Sequence, residues 1–199
     1  VLEGENEESI SKQLTIFSER ALPDLGENIK CGNSLIGWDI LGDKPGLGQE
    51  EIERINPFDW EKEFPEIFQR GGFSIVIGNP PYVRQEGLGE FKGYFQKHYK
   101  VYHGTADLYT YFVERGVSLL QEGGIFSYIV ANKWMRANYG QPLRAWLKEQ
   151  CIEEIIDFGD QQVFQGATTY PCIIRINKSI PWSSFEVTQV KTLDFQNLD

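Results

Sequence analysis

The sequence has little of what metal sites, disulfide scaffolds and membrane spans require. Its 199 residues include only three cysteines and two histidines. Cys31, Cys151 and Cys172 are far apart and odd in number, which suits reduced structural thiols rather than a disulfide framework or a Cys-x-x-Cys metal site. No apolar run approaches the ~18 residues that suggest a membrane span, and Val1 to Ser11 lacks the basic-then-apolar pattern of a signal peptide. The expectation is a cytoplasmic chain with no metal and no membrane partner. Positive charge is scarce as well. Lys and Arg number 19 against 29 Asp and Glu, a net charge of −10. The surface as a whole therefore cannot neutralise a nucleic-acid backbone, and any such contact must be local or supplied from elsewhere.

What is present suffices for a globular core: 41% of residues are hydrophobic and 14% aromatic. Acidic residues concentrate in Glu3 to Glu8 and Glu50 to Glu66, whereas Arg84, Lys92, Lys97, Lys100, Lys133, Arg136 and Arg144 follow later. Ile10, Leu14, Phe17 and Ala21 recur at helical spacing until Pro23 and Gly26. Ile29-Lys30-Cys31 reads as a short strand, and Asn56-Pro57 as the start of an aromatic helical stretch through Trp60, Phe64 and Phe68. Phe73 to Ile77 is β-branched and almost continuously apolar, the signature of a strand buried on both faces. Leu108, Phe112 and Leu119 share one face of a helix closed by Gly123-Gly124, and Ile125 to Val130 follows as a second buried strand. Pro142 opens the short helix "LRAWLKEQ" ahead of the strand "IEEIIDF", and "TTYPCIIRI" is the last clear strand. Beyond Ile180 the pattern dissolves into a linker or edge segment. This alternation predicts an α/β domain with a mainly parallel sheet and helices on both faces.

Ligands of such sheets bind outside the carboxyl ends of the strands. Three polar or aromatic exits qualify: Asn79-Pro80-Pro81-Tyr82, Asn132-Lys133-Trp134 and Asp157-Phe158-Gly159. Ordinary turn chemistry accounts for Asn132 and Asp157 equally well. The first exit is different, because two prolines make it stiff before any ligand arrives. It offers an amide oxygen, backbone carbonyls and an aromatic face, with no carboxylate or imidazole. Two acceptors aimed at the hydrogens of an exocyclic amine favour the pyramidal nitrogen formed as its lone pair attacks an electrophile. A nucleobase would reach such a pocket only by leaving the duplex stack.

"IGNPPY" after an apolar strand resembles the catalytic motif of amino-group methyltransferases that use S-adenosylmethionine. "GNSLIGWD", "GGFSIVIGNPPYVRQE", "TADLYTYFVERGVSLLQEGGIFSYIVANKWMRANYGQPLRAWL" and "DFGDQQVFQGATTYPCIIRI" narrow the likeness. Together, over roughly Ile29 to Ile176, they resemble the adenine-specific DNA methyltransferases of type IIG restriction-modification enzymes and related phage-defence methylases. The resemblance implies a Rossmann-like methyltransferase sheet, S-adenosylmethionine as cofactor and DNA as partner. It implies that Asn79, through its amide, and Pro80, through its carbonyl, accept hydrogen bonds from the adenine amino group. Tyr82 would stack on the flipped base, Phe164 would pack against another face of it, and Arg84 and Lys133 would contact the substrate. Asn33, with Ser34 beside it, stands where the family usually carries a polar residue, often Asp, that reads the cofactor's adenine; Asp107 belongs to a block near the cofactor and Asn79, a helix N-cap being its structural alternative.

The family's glycine-rich cofactor loop has no counterpart before Ile29. "GDKPGLG" at Gly42 to Gly48 follows no strand and is not that loop. The chain thus reads as a fragment with an N-terminal helical segment (1–28), a catalytic part (29–179) and a linker or edge segment (180–199). Most DNA affinity would lie outside it. No cysteine matches the nucleophile of cytosine-ring methylation, and neither His98 nor His103 is needed as a base. Two other readings stay open: a protein-glutamine amide methyltransferase, and a non-catalytic DNA-sensing module.

Overall fold

The computed structural model describes residues 25–83, 89–164 and 169–193. The chain divides into two compact units, Val1–Gly32 and Asn33–Asp199. The helix expected at Ile10 to Ala21 and the substrate residue Arg84 lie outside the described residues. In the first unit the amides of Asn28 and Ile29 both donate to the Leu25 carbonyl at 2.8 Å. Ile29-Lys30-Cys31 is not a strand, contrary to expectation; the sheet of the described chain begins only at the strand Phe73–Gly78.

The second unit begins with four short helices, α1 (Ile40–Asp43), α2 (Gln49–Ile55), α3 (Trp60–Glu63) and α4 (Pro65–Gln69), ahead of strand β1 (Phe73–Gly78). The aromatic stretch expected as one helix is two, because Pro65 occupies the first turn of α4 and cannot continue α3. Asp59 caps α3 by accepting from the Lys62 amide at 3.1 Å. After β1 come α5 (Lys92–His98), α6 (Tyr109–Ser118), the long strand β2 (Leu120–Ala131), two 3₁₀ turns (Asn132–Met135 and Asn138–Gly140) and α7 (Gln141–Leu147). Strands β3 (Cys151–Asp157), β4 (Pro171–Asn177) and β5 (Glu186–Gln189) complete the described chain. The segment beyond Ile180, which shows no clear period in sequence, supplies an exposed edge strand.

The strand order is β1-β2-β4-β3-β5. β1 runs parallel to β2 and β5 parallel to β3, while β4 is antiparallel to both of its neighbours. Four strands therefore point one way, and β4 runs back between β2 and β3. This is a Rossmann-like α/β sheet, mixed through one reversed strand.

The core follows the period of two. Phe126 pairs with Ile176 and Val130 with Cys172, and all four side chains are buried on one face with Ile174. Helix α6 contributes Tyr109, Val113, Gly116 and Val117 to that core. The buried stripe is thus one residue away from the one expected through Leu108 and Phe112, which are only partly buried. Gly123-Gly124 does not close α6. The β1–β2 register jumps between Phe73↔Leu120 and Ile75↔Ile125, and Gly123, at φ 75°, lies within the bulge that absorbs the extra residues.

β1 also departs from expectation. It is an edge strand among the described residues, and Ile75 and Ile77 are 66% and 79% exposed rather than buried. A continuous β-branched run records that both faces of a strand are apolar; it does not record whether this chain covers them.

Ile174 sits fully buried in the internal strand β4. Ile174→Ala should lower stability by about 2–5 kcal/mol. Val187→Ala, on the exposed β5, should change it by less than ~0.5 kcal/mol. Urea unfolding of the two variants measures the contrast.

Candidate active site

The directions of β1, β2 and β3 bring Asn79, Asn132 and the end of β3 to one rim of the sheet. At the first exit, Gly78 ends β1, Asn79 is exposed, Pro80 is buried and Tyr82 is half-buried. The Asn79 side-chain amide has no hydrogen-bond partner among the described residues. Its position is set by what surrounds it. Tyr82 donates from its hydroxyl to the Ile129 carbonyl of β2 at 3.4 Å, and its ring lies 6.5 Å from that of Tyr109 at 47°. One residue further, the Val83 carbonyl accepts from the Leu108 amide at 3.0 Å. That bond stitches the "ADLY" block to the Asn79 turn, although 25 residues separate them in sequence.

Asp107 is half-buried, and its carboxylate accepts from the Tyr139 hydroxyl at 3.2 Å. It does not cap α6 with its side chain; the capping position is Leu108, without a side-chain bond. The Tyr139 and Tyr109 hydroxyls lie 3.0 Å apart, and the fully buried Thr110 hydroxyl donates to the Asp107 carbonyl at 2.9 Å. Burial pushes the Tyr109 phenol far above its ordinary value and raises Tyr139 to about 12, with the Asp107 charge adding to the Tyr139 shift. Burial raises the Tyr82 phenol as well. These tyrosines are neutral hydrogen-bonding groups over the working range of pH, which suits positioning rather than proton transfer.

At the other two exits the structure joins what local turn chemistry would leave separate. The Asn132 amide donates to the Asp157 carboxylate at 2.8 Å, and the Gly159 amide donates to the same oxygen at 3.0 Å. Lys133 is exposed in the first 3₁₀ turn. Phe164 is half-buried in the connection between β3 and β4, and no ring contact joins it to Tyr82 among the described residues. The signal missed in sequence was the pairing of Asn132 with Asp157, which strand spacing alone does not reveal.

Of the residues expected to hold a cofactor, Asn33 and Ser34 precede α1, whereas Asn79 and Asp107 flank the Leu108–Val83 bond. The Asn33 carboxamide oxygen accepts from the Leu35 amide at 3.2 Å, which leaves its NH₂ group as a donor for a ring nitrogen. The Ser34 carbonyl accepts from the Trp60 indole at 3.1 Å. Ser34 opens onto a groove of about 290 Å³ along Phe73, Ile75 and Ile77, and that groove does not reach Asn79 or Asp107. The donor set fits the polar parts of S-adenosylmethionine: an amide for the adenine at Asn33, and a carboxylate for a cationic group at Asp107. No disulfide joins the three cysteines; Cys151 and Cys172 are buried, and burial lifts Cys172 to about 12, which suits a structural thiol rather than a nucleophile.

Comparison with known proteins gives a consistent result. The family model described as Eco57I restriction-modification methylase matches residues 9–164. The Type II restriction enzyme and methyltransferase RM.Eco57I of Escherichia coli is 36% identical over 183 residues, covering 89% of this chain. The chain spans 16% of that relative's length. Two solved structures share the fold. A protein described as a class I S-adenosylmethionine-dependent methyltransferase from Listeria monocytogenes aligns with TM-score 0.50 and 16% identity, over 62% of this chain and 38% of its own. The Type IIL restriction-modification enzyme MmeI, solved in complex with DNA, aligns with TM-score 0.53 and 14% identity, over 73% of this chain and 20% of its own.

The tyrosine network gives a pH test. Tyr139 titrates at about 12 when folded against an ordinary 10.0. The folded state therefore keeps a proton that the unfolded state releases first, and stability should fall as pH rises from about 10 to about 12. Tyr139→Phe should make that part of the profile less steep, Tyr99 and Cys172, each also raised to about 12, keeping the remainder, and should cost about 0.5–1.5 kcal/mol at neutral pH. Urea midpoints across the alkaline range measure both effects.

Proposed function

This chain belongs to the Eco57I restriction-modification methylase family, and on that premise we propose that it carries the amine-binding side of a DNA adenine methyltransferase. The reaction moves the methyl group of S-adenosylmethionine to the exocyclic nitrogen of an adenine turned out of the duplex. One observation carries this reading: the Asn79 amide is exposed and, among the described residues, has no hydrogen-bond partner, on a turn held by Pro80, Tyr82 and the Leu108–Val83 bond.

When bound, S-adenosylmethionine supplies a methyl group on a positively charged sulfur, an electrophile that needs no metal. Asn79 accepts one amino hydrogen through its side-chain oxygen, and the Pro80 carbonyl accepts the other. Both acceptors favour the nitrogen as it turns pyramidal, so their effect is largest at the transition state. Bound opposite the amine, the cofactor would supply its methyl group to the nitrogen lone pair, its sulfur keeping the electrons of the C–S bond, and the amine proton would pass to solvent. Tyr82 stacks on the extruded ring, a contact worth ~1–3 kcal/mol. Phe164, Arg84 and Lys133 hold the rest of the nucleotide, while Asn33, Ser34 and Asp107 contact the cofactor.

Among the described residues β1 has a strand neighbour on one side only, which supports a further proposal about organisation. The edge of β1 receives additional sheet, and the glycine-rich cofactor loop lies on that additional part. The net charge of −10 fits the same view, with most DNA affinity residing outside this chain.

Asn79→Ala should lower methyl transfer about 100-fold or more while moving the unfolding free energy by less than ~0.5 kcal/mol. The complete enzyme, labelled S-adenosylmethionine and mixed-sequence DNA provide the assay, with digestion to nucleosides identifying the product. Label in methyladenine supports the reading; label in cytosine or in protein overturns it. Tyr82→Ala should raise KM for DNA more than KM for the cofactor, and equal losses would assign Tyr82 a structural role only.

A further inference from the structure

We infer that the cavity beyond the exits of β2, β3 and β5 is a second nucleotide subsite, in which Lys133 and Arg136 clamp a phosphodiester flanking the extruded adenine. The inference rests on the DNA-methyltransferase reading and adds a residue, Arg136, and a place to it. The cavity measures about 600 Å³ and is lined by Asn132, Lys133, Arg136, Asp157, Tyr170 and Gln189, among others. That volume suits one nucleotide unit. It opens on the rim that carries Asn79, where a strand leaving the catalytic turn would continue.

The two cations are available, as exposed cations such as Arg70, Lys100 and Lys148 also are; what sets Lys133 and Arg136 apart is that both line this one cavity. Arg54 pairs with Glu90 and Arg175 with Glu153, each at 2.6 Å, and Lys97 and His98 share Asp43. Lys133 and Arg136 are both exposed, and neither side chain has a carboxylate or other polar partner among the described residues. In a chain of net charge −10 the two neighbouring cations share the cavity with Asp160 and with Asp157, whose carboxylate is already engaged by Asn132 and Gly159. Phosphate contacts of this kind fix the register of a bound strand.

Their placement is built into the fold. Arg144, half-buried on α7, donates to the carbonyls of Trp134 and Ala137 at 2.5 and 2.9 Å, gripping the turn on either side of Arg136. Trp134 anchors the same turn in the core at 4% exposure. Gly140 closes against it so tightly that an added Cβ would sit 2.0 Å from the Trp134 carbonyl oxygen. The Asn132 amide donates from its backbone to Tyr170 at 2.7 Å and from its side chain to Asp157 at 2.8 Å. The turn is therefore ordered before any ligand arrives, which reduces the entropic cost of binding. Tyr170, 42% exposed on the same wall, offers a ring face on which a base can stack.

The test compares the complete enzyme with its Lys133→Gln/Arg136→Gln variant and with Lys148→Gln, an exposed cation on the far end of α7. Equilibrium binding to plasmid-derived DNA is measured from low to moderate salt, together with methylation kinetics. The double variant should reduce the slope of log Kd against log salt by about one to two units, roughly one per lost phosphate contact. KM for DNA should rise about tenfold or more, with kcat changed less than about threefold, and Lys148→Gln should match the parent in all three. An unchanged slope overturns the subsite, and so does a fall in kcat without a change in slope. If the parent enzyme methylates no DNA, the reading on which the subsite rests fails instead; active parent enzyme with an unchanged slope removes the subsite alone.

Discussion

The twelve-residue strand β2 is the element on which the rest of the sheet depends, because its two neighbours run in opposite directions. On one side it fixes β1 in parallel and so aims the Asn79 turn at the rim. On the other it accepts β4 in reverse, and β4 in turn carries β3. A ladder of hydrogen bonds permits no half-register, so one strand sets where three others end. Phe126 and Val130 bury this strand against α6 and against the neighbouring positions of β4. The Asn79 turn is then tied twice to the strand and helix beside it, through Tyr82 to Ile129 and through Val83 to Leu108.

Charge is distributed with the same economy. Arg54, Lys97 and Arg175 each pair with a carboxylate, and the Asp43 carboxyl is held below its ordinary range by hydrogen bonds from Lys97 and His98. Near the Asn79 turn, apart from the Asp107 carboxylate, the polar groups are neutral: an amide, phenols whose protons burial retains, and backbone carbonyls. A neutral environment is what a sulfonium methyl transfer to a weakly basic amine asks for. It needs positioning and acceptor dipoles more than a strong base.

Several elements were legible in the sequence because their causes are local. Pro142 begins a helix, the period of two in "PCIIRI" produces a half-buried strand, and Asn79-Pro80-Pro81-Tyr82 must leave its strand as a turn. Others were not, for equally physical reasons. Gly123-Gly124 has the composition of a helix cap but lies in a bulge, since either setting welcomes a positive φ. The stripe of α6 shifted by one residue because Tyr109 and Val113, rather than Leu108 and Phe112, meet β2. Phe73 to Ile77 read as fully buried, yet among the described residues β1 has a neighbour on one side only.

By itself the sequence determined the family of this chain and the stiffness and acceptors of its Asn79 turn, because both reside in contiguous residues whose backbone limits are local. An amide before two prolines and a tyrosine carries its acceptors and its stiffness wherever the chain places it. Only the tertiary structure decided that Asn132 and Asp157 meet at 2.8 Å and that Lys133 and Arg136 face a nucleotide-sized cavity. Those contacts depend on β4 being inserted in reverse between β2 and β3. Strand order is settled by the burial of a whole sheet face, and no single stretch of sequence carries it.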